Sequence, residues 1–387
     1  MNDIEPEGMP SQGPRSTQGS GGRRDDIDFW RGFILCTIFI NHVPGNLFER
    51  FTYRNYGFSD SSEAFVFISG LSLSLAYGSK FLNGGQGLVL VSLARRAVKL
   101  YAVHILLSLA GLAIFASGAA LAQNSTLMQE HGRDLFIDDP FSALIGLFSL
   151  GHQLGYFNIL PLYVLMLAMT PAMFWLAKRN RLLMLAASLA VYLLSRVAGL
   201  NVPSWPMKGD WFFDPFSWQL MMAVGLAVGL SLRDGAVPRN RLVMLVAGGL
   251  VLAAAFCATD GLSFWPGLMD LARERADLGK TTLGAGRIVH FFALAYVVYG
   301  IGLAHNMRHA AWFRPLCSIG RSGLWSFAIL SVLAAVGQVL AQSLGHSVLL
   351  DTLLIGGGLG LLYGCAMLLD GRRDGTIPLL AGLSPRR

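Results

Sequence analysis

His42 sits near the end of the first apolar run, Phe29 to Leu47, with Asn41 beside it. An ionisable side chain there costs free energy unless it faces a wet or protein-lined cavity, so its position makes it a functional candidate. Neutral imidazole is a suitable general base near neutral pH; a hydrogen bond between helices is the plainer reading. The same run opens with Asp28 and Arg31, which stand at i and i+3. They can pair on one helix face, or serve as a snorkelling anchor. At about 1.5 Å of rise per residue, His42 lies about 21 Å along the axis from Asp28.

The second run is entered through Ser59-Asp60-Ser61-Ser62-Glu63. The serines and Asp60 read as a helix N-cap, and a carboxylate at that point also suits the helix dipole. A second account gives Glu63 to the imidazole, since it enters at about the depth of His42. A carboxylate on the other ring nitrogen would fix the tautomer and raise the basicity. Arg95, Arg96 and Lys99 put three cations within five residues. Arginine forks match phosphate oxygens, although basic anchoring beside a membrane gives the same pattern. Lys280, Arg287 and His290 precede or enter a later run. Cations there need partners, and Glu63, Asp60 or an anionic substrate would serve. No GxSxG, HExxH, Walker A or GxGxxG pattern occurs, and no metal site is expected.

The elements that must carry these residues are membrane helices. The chain is 53% hydrophobic and 14% charged, against about 25% charged in soluble domains. The expected fold is an all-α, polytopic transmembrane bundle. Ten runs have the length to span: 28–47, 62–79, 97–120, 158–177, 181–200, 216–232, 241–258, 286–305, 319–342 and 347–370. Ten spans put the basic connections on one side, cytoplasmic by the positive-inside rule, together with the N-terminus and the tail. Counting 141–157 as a span would break that pattern, so it is read as an interfacial or re-entrant helix. The expected organisation is a disordered cytoplasmic N-terminus (1–26), one transmembrane domain (27–371) and a cytoplasmic tail (372–387). The net charge of +7 is accounted for by those loops rather than by nucleic acid. Cys36, Cys257, Cys317 and Cys365 lie in or beside apolar runs without ligand spacing. The non-cytoplasmic segments, among them 48–61 and 201–215, mix aromatics with hydrogen-bonding groups. That mixture suits carbohydrate, and it equally suits an aromatic belt at the lipid interface.

Several segments in order resemble the OpgC family of membrane acyltransferases. They are RDDIDFWRGFILCTIFINHVPGN (24–46), FTYRNYGFSDSSEAFVFISG (51–70), RRAVKLY (95–101), FNILPLYVLML (157–167), DPFSWQL (214–220), KTTLGAGRIVHFFALA (280–295) and IGRSGLWSF (319–327). The first two are specific in combination. More distantly, span 1 and the basic pair resemble the wider acyltransferase-3 group. That group often follows its basic pair with proline, whereas this chain has Tyr101. The resemblance implies a ten-helix enzyme with a cytoplasmic acyl-CoA donor, succinyl-CoA or acetyl-CoA, and an extracytoplasmic glycan acceptor such as an osmoregulated periplasmic glucan. It also implies a bacterial inner membrane.

The family's histidine falls on His42 and its basic pair on Arg95 and Arg96. Under that scheme His42 is the base, Glu63 orients it, and Asn41 or Arg287 stabilises the oxyanion. Arg31, Arg95, Arg96 and Lys99 would hold the acyl-CoA, whose pantetheine would thread between spans 1, 2 and 3. Arg54, Asn55, Asp60, Lys280 and His290 would meet the acceptor. Direct transfer and an acyl-histidine intermediate both remain open, as does oligomeric state. The competing expectation is a proton-coupled transporter or flippase of an anionic solute; a structural subunit would leave His42, Glu63 and Arg287 unexplained.

Overall fold

The computed structural model describes residues 25–235, 237–259 and 274–373. The expectations for the N-terminus through residue 24 and for the tail from residue 374 lie outside the described residues. Residues 260–273, part of the non-cytoplasmic connection expected between the runs 241–258 and 286–305, also lie outside the described residues. Among the described residues there is no strand, and the architecture is the expected all-α bundle.

Among the described residues, twelve helices of nine residues or more organise it: α1 Asp25–Asn41, α2 Ser61–Leu73, α3 Gln86–Ala122, α4 Pro140–Phe148, α5 Ile159–Arg179, α6 Arg181–Ala198, α7 Pro215–Asp234, α8 Arg241–Ala258, α9 Ala285–Gly300, α10 Phe313–Arg321, α11 Gly323–Leu344 and α12 Val348–Arg373. Every one of the ten expected runs corresponds to a helix among them. By length and composition eight can cross a membrane: α2 with its extension to Leu82, α3, α5, α6, α7, α8, α11 and α12. At 17 and 16 residues, α1 and α9 are shorter, but both pack within the same bundle.

Glycines set the approach of the helices that carry the polar residues. Gly32 of α1 lies against the Leu316 backbone of α10, and Gly320 of α10 lies against the Asp28 carbonyl. A Cβ at either position would collide, so two backbones meet where side chains would separate them. Gly70 of α2 and Gly225 of α7 do the same for the second pair. α2 continues through a π-helical turn, Ser74–Gly78, into Ser79–Leu82.

Two elements differ from expectation or refine it. The third run was expected from 97, but α3 begins at Gln86 and is 37 residues long. No proline interrupts 86–96, so nothing stops the helix there. Its length of about 55 Å exceeds a hydrocarbon core of about 30 Å, so α3 extends beyond it. Arg95, Arg96 and Lys99 therefore sit within a helix, not at its start. The 141–157 segment yields only α4, nine residues capped by Asp139 with Pro140 in the first turn, too short to span. Tyr101 of α3 donates to the Phe148 carbonyl at 2.7 Å, which ties α4 to the flank of the bundle.

Candidate functional site

α1 ends at Asn41, and His42 is the first residue beyond it. Its N–H still reaches the Ile38 carbonyl at 2.9 Å, and its own carbonyl accepts from Gln338 Nε2 of α11 at 2.6 Å. The backbone is thus fixed from two helices. The side chain is half-buried, and Nδ1 is buried with no hydrogen-bond partner. The ring packs on Tyr156, centroid to centroid 4.8 Å, and Tyr156 meets His131 at 5.2 Å. Tyr156 holds φ at 67°, a left-handed conformation that bulky residues rarely adopt. The loop after α4 is therefore constrained to present that ring. Asn41 is buried, and its Oδ1 accepts from Thr52 Oγ1 at 2.9 Å, which leaves its amide group as the donor.

Charges surround this point, and they satisfy one another. Glu63 is 0% exposed. Its Oε1 accepts from Arg287 Nε at 2.6 Å, and its Oε2 accepts from the Asp60 backbone N–H at 2.9 Å. Asp60 completes the capping box of α2 and pairs with Lys280 at 2.5 Å and Arg287 at 3.2 Å. Burial pushes the Asp60 carboxyl up, but the charges of Lys280 and Arg287 outweigh it and hold the group well below the usual carboxylate range. Arg54 pairs with Glu49 at 2.6 Å, and Asn55 Nδ2 donates to the Glu49 carbonyl at 2.7 Å. His290 is buried, with Nδ1 2.8 Å from Ser59 Oγ and Nε2 unpartnered.

The structure thus brings the expected outer residues to one end of the bundle, with partners that correct three roles. Glu63 does not orient His42: both its oxygens are taken, by Arg287 and by the cap. Fixation of His42 comes instead from Gln338 and Tyr156. Arg287 is drawn to Glu63 and Asp60, whereas the Asn41 amide group is left as a donor. Arg54 and Lys280 are already paired and offer no uncompensated charge to an acceptor. The charges that act most strongly on the His42 ring are Lys280, Asp60 and Arg54.

Toward the other end, Arg31 donates to Asp28 at 2.9 Å, to the Gly320 carbonyl at 3.0 Å and to Ser72 Oγ at 2.5 Å. It joins α1, α2 and α10, and this corrects its expected place among donor-binding groups. Arg95, Arg96 and Lys99 behave differently. All three are exposed, and none has an acidic partner among the described residues. Lys99 Nζ lies 5.3 Å from the centre of the Trp325 ring.

Between these regions stands an apolar layer. Tyr163 of α5, which feels Arg96 and Arg31, donates to the Phe65 carbonyl at 2.8 Å. Its ring is 5.2 Å from Phe65, which is 6.0 Å from Phe327. Val66, Leu162 and Phe327 are buried at 0–1% exposure. One cavity of ≈ 510 Å³ lies beside Trp211, and another of ≈ 780 Å³ lies beside Arg314 and Arg321. Neither of these joins the basic trio to His42, and the passage expected for pantetheine would run through this layer of packed rings.

Tyr156, Thr52 and Gln338 were not singled out from sequence. Only Tyr156 carried a signal, through its place in a run too short and too polar to span.

A family model described as OpgC protein matches residues 23–374, nearly the whole chain. No curated protein and no solved structure matches it.

Proposed function

The chain belongs to the OpgC family, and from that premise we propose that it transfers an acyl group from a coenzyme A thioester to a hydroxyl of a glucan. The family itself suggests a glucan-modifying acyltransferase. The donor, the direction across the membrane and the residue roles are our reading. The observation that carries it is His42, whose Nδ1 has no partner while the charges around it are paired with one another. At this end His290 Nε2 is left without a partner as well as His42 Nδ1; His42 is the imidazole that follows Asn41, whose amide group is left as a donor, and it is taken as the base.

In this reading the imidazole accepts the proton of a glucan hydroxyl as its oxygen attacks the thioester carbonyl. The Asn41 amide donates to the tetrahedral oxyanion. Collapse breaks the carbon–sulfur bond, and the departing thiolate takes the proton back from the imidazolium. Arg95, Arg96 and Lys99 attract the phosphates of the donor. The trio would face the cytoplasm, as the positive-inside rule requires, and His42 the opposite side of a bacterial inner membrane. Transfer along this route requires the rings of Phe65, Tyr163 and Phe327 to part.

The test mixes purified protein with succinyl-CoA or acetyl-CoA and follows free thiol. Release that depends on added glucan, with ester appearing on the sugar, is the expected result. Anion uptake into vesicles without thiol release would replace this reading with a transporter.

A further inference from the structure

The rings of His42 and Tyr156 touch, 4.8 Å between centroids and tilted by 55°. Each carries a polar atom that the protein leaves unpartnered and open. His42 Nδ1 is buried, but Nε2 is not, and nothing among the described residues hydrogen-bonds to it. The Tyr156 hydroxyl is in the same condition: it makes no hydrogen bond among the described residues, and it is not buried. Other tyrosines spend theirs inside the protein. Tyr53 donates to Ser61 Oγ, Tyr101 to the Phe148 carbonyl, Tyr163 to the Phe65 carbonyl and Tyr192 to the Leu283 carbonyl.

The placement of Tyr156 is enforced. It holds φ at 67°, and His131, whose ring stands 5.2 Å from its own, holds φ at 58°. Bulky residues keep a left-handed backbone only where surrounding contacts over-determine it, and such residues gather at ligand sites. The Gly155 N–H donates to the His131 carbonyl at 3.3 Å, which ties together the two loops that carry these rings.

The electrostatic setting narrows the ligand. The charges that act most strongly on the phenol are Arg54, Glu49, Glu130 and Arg133. Arg54 is paired with Glu49 at 2.6 Å, and Arg133 stands 3.7 Å from Glu130. Two compensated pairs give an ion little to hold. A phenol is a neutral donor near pH 7, and the imidazole nitrogen on the adjoining ring accepts a proton. A ligand that uses both at once carries a hydroxyl to be deprotonated and a second oxygen close to it. A sugar with hydroxyls on neighbouring carbons has that pattern, whereas water has not.

We propose that Tyr156 binds the acceptor sugar, its hydroxyl donating to the oxygen next to the one that His42 Nε2 deprotonates. Tyr156 thereby selects acceptors with paired oxygens. Its own proton stays on the phenol throughout, so the bonds made and broken in the transfer are unchanged. The identity of the ligand rests on the acyl-transfer reading.

Tyr156→Phe keeps both rings in place and removes only the hydroxyl. The experiment follows thiol release from succinyl-CoA or acetyl-CoA with a neutral linear glucose oligomer as acceptor. The variant is expected to raise the KM for the oligomer by about tenfold, roughly what one hydrogen bond contributes. Its kcat and its KM for the acyl-CoA should match the parent, the pattern of a contact made equally before and during transfer. Thioester cleavage by water alone should also match. Calorimetric titration of the oligomer without donor, in a detergent lacking a sugar headgroup, should show the same tenfold loss. A matching rise in the KM for both substrates, as a merely structural role would give, overturns the contact, and so does absence of oligomer binding by the parent. Transfer with the oligomer KM unchanged in the variant keeps the activity and removes the contact. Oligomer binding that weakens in the variant, with no thiol released by either protein, keeps the contact and removes the activity.

Discussion

At the His42 end, Glu63, Asp60, Arg287 and Lys280 neutralise one another, whereas Arg95, Arg96 and Lys99 on α3 stand exposed with no acid beside them. The two regions are made of the same residue types. Their difference lies in partners, and it decides what each can receive. A set of two acids and two bases in mutual contact has little pull on an anion. Three uncompensated cations on one helix attract phosphate strongly, and do so less at high salt. That contrast supports the proposed pairing of an anionic donor at one region with an uncharged acceptor at the other.

The comparison breaks first at His42. His42→Ala is expected to leave a folded protein whose transfer rate is lower by about 10²–10⁴-fold, the usual contribution of a general base. Full activity in a thiol-release assay would remove the imidazole from the scheme. Next comes the paired cluster. Arg287→Ala strands Glu63 and is expected to cost about 3–5 kcal/mol of stability. The double change Arg287→Leu with Glu63→Leu should cost less than Arg287→Ala alone, because no charge is left buried and unpaired. Denaturation midpoints of the three proteins decide this; additive losses would mean that the pair does not act as a unit. The smallest effect is expected on α3. Arg95→Ala and Arg96→Ala should each raise the KM for acyl-CoA by about tenfold, on the order of one charge-assisted hydrogen bond, with no change in melting temperature. The KM should also climb with ionic strength in the parent and less so in the variants. A KM that ignores both would make the trio a membrane anchor.

Much of the fold was legible because burial in a bilayer leaves a coarse and unambiguous record. Each of the ten apolar runs corresponds to a helix, and the basic loops were enough to keep 141–157 from being counted as another span. Helix bounds were less legible. α3 starts eleven residues early, at Gln86 rather than 97, because polar side chains end a hydropathy run without ending a helix. The site was legible as residues but not as partnerships. The sequence placed Glu63 near the depth of His42, and depth alone could not separate an imidazole partner from a cap. The deciding contact, Arg287, lies 224 positions away. Thr52 and Gln338 were hidden for a related reason: their hydrogen bonds to Asn41 and His42 join separate stretches of chain and leave no pattern to read.

The ring layer of Phe65, Tyr163 and Phe327 has one more consequence. A cell keeps a voltage across its membrane, worth about 2.3 kcal/mol for each elementary charge moved through 100 mV. A protein that handled reagents on opposite faces through a standing water column would drain that store as leaking protons. Under the proposed transfer, these packed aromatic rings would act as an insulating washer that keeps the bilayer electrically tight between one acyl passage and the next.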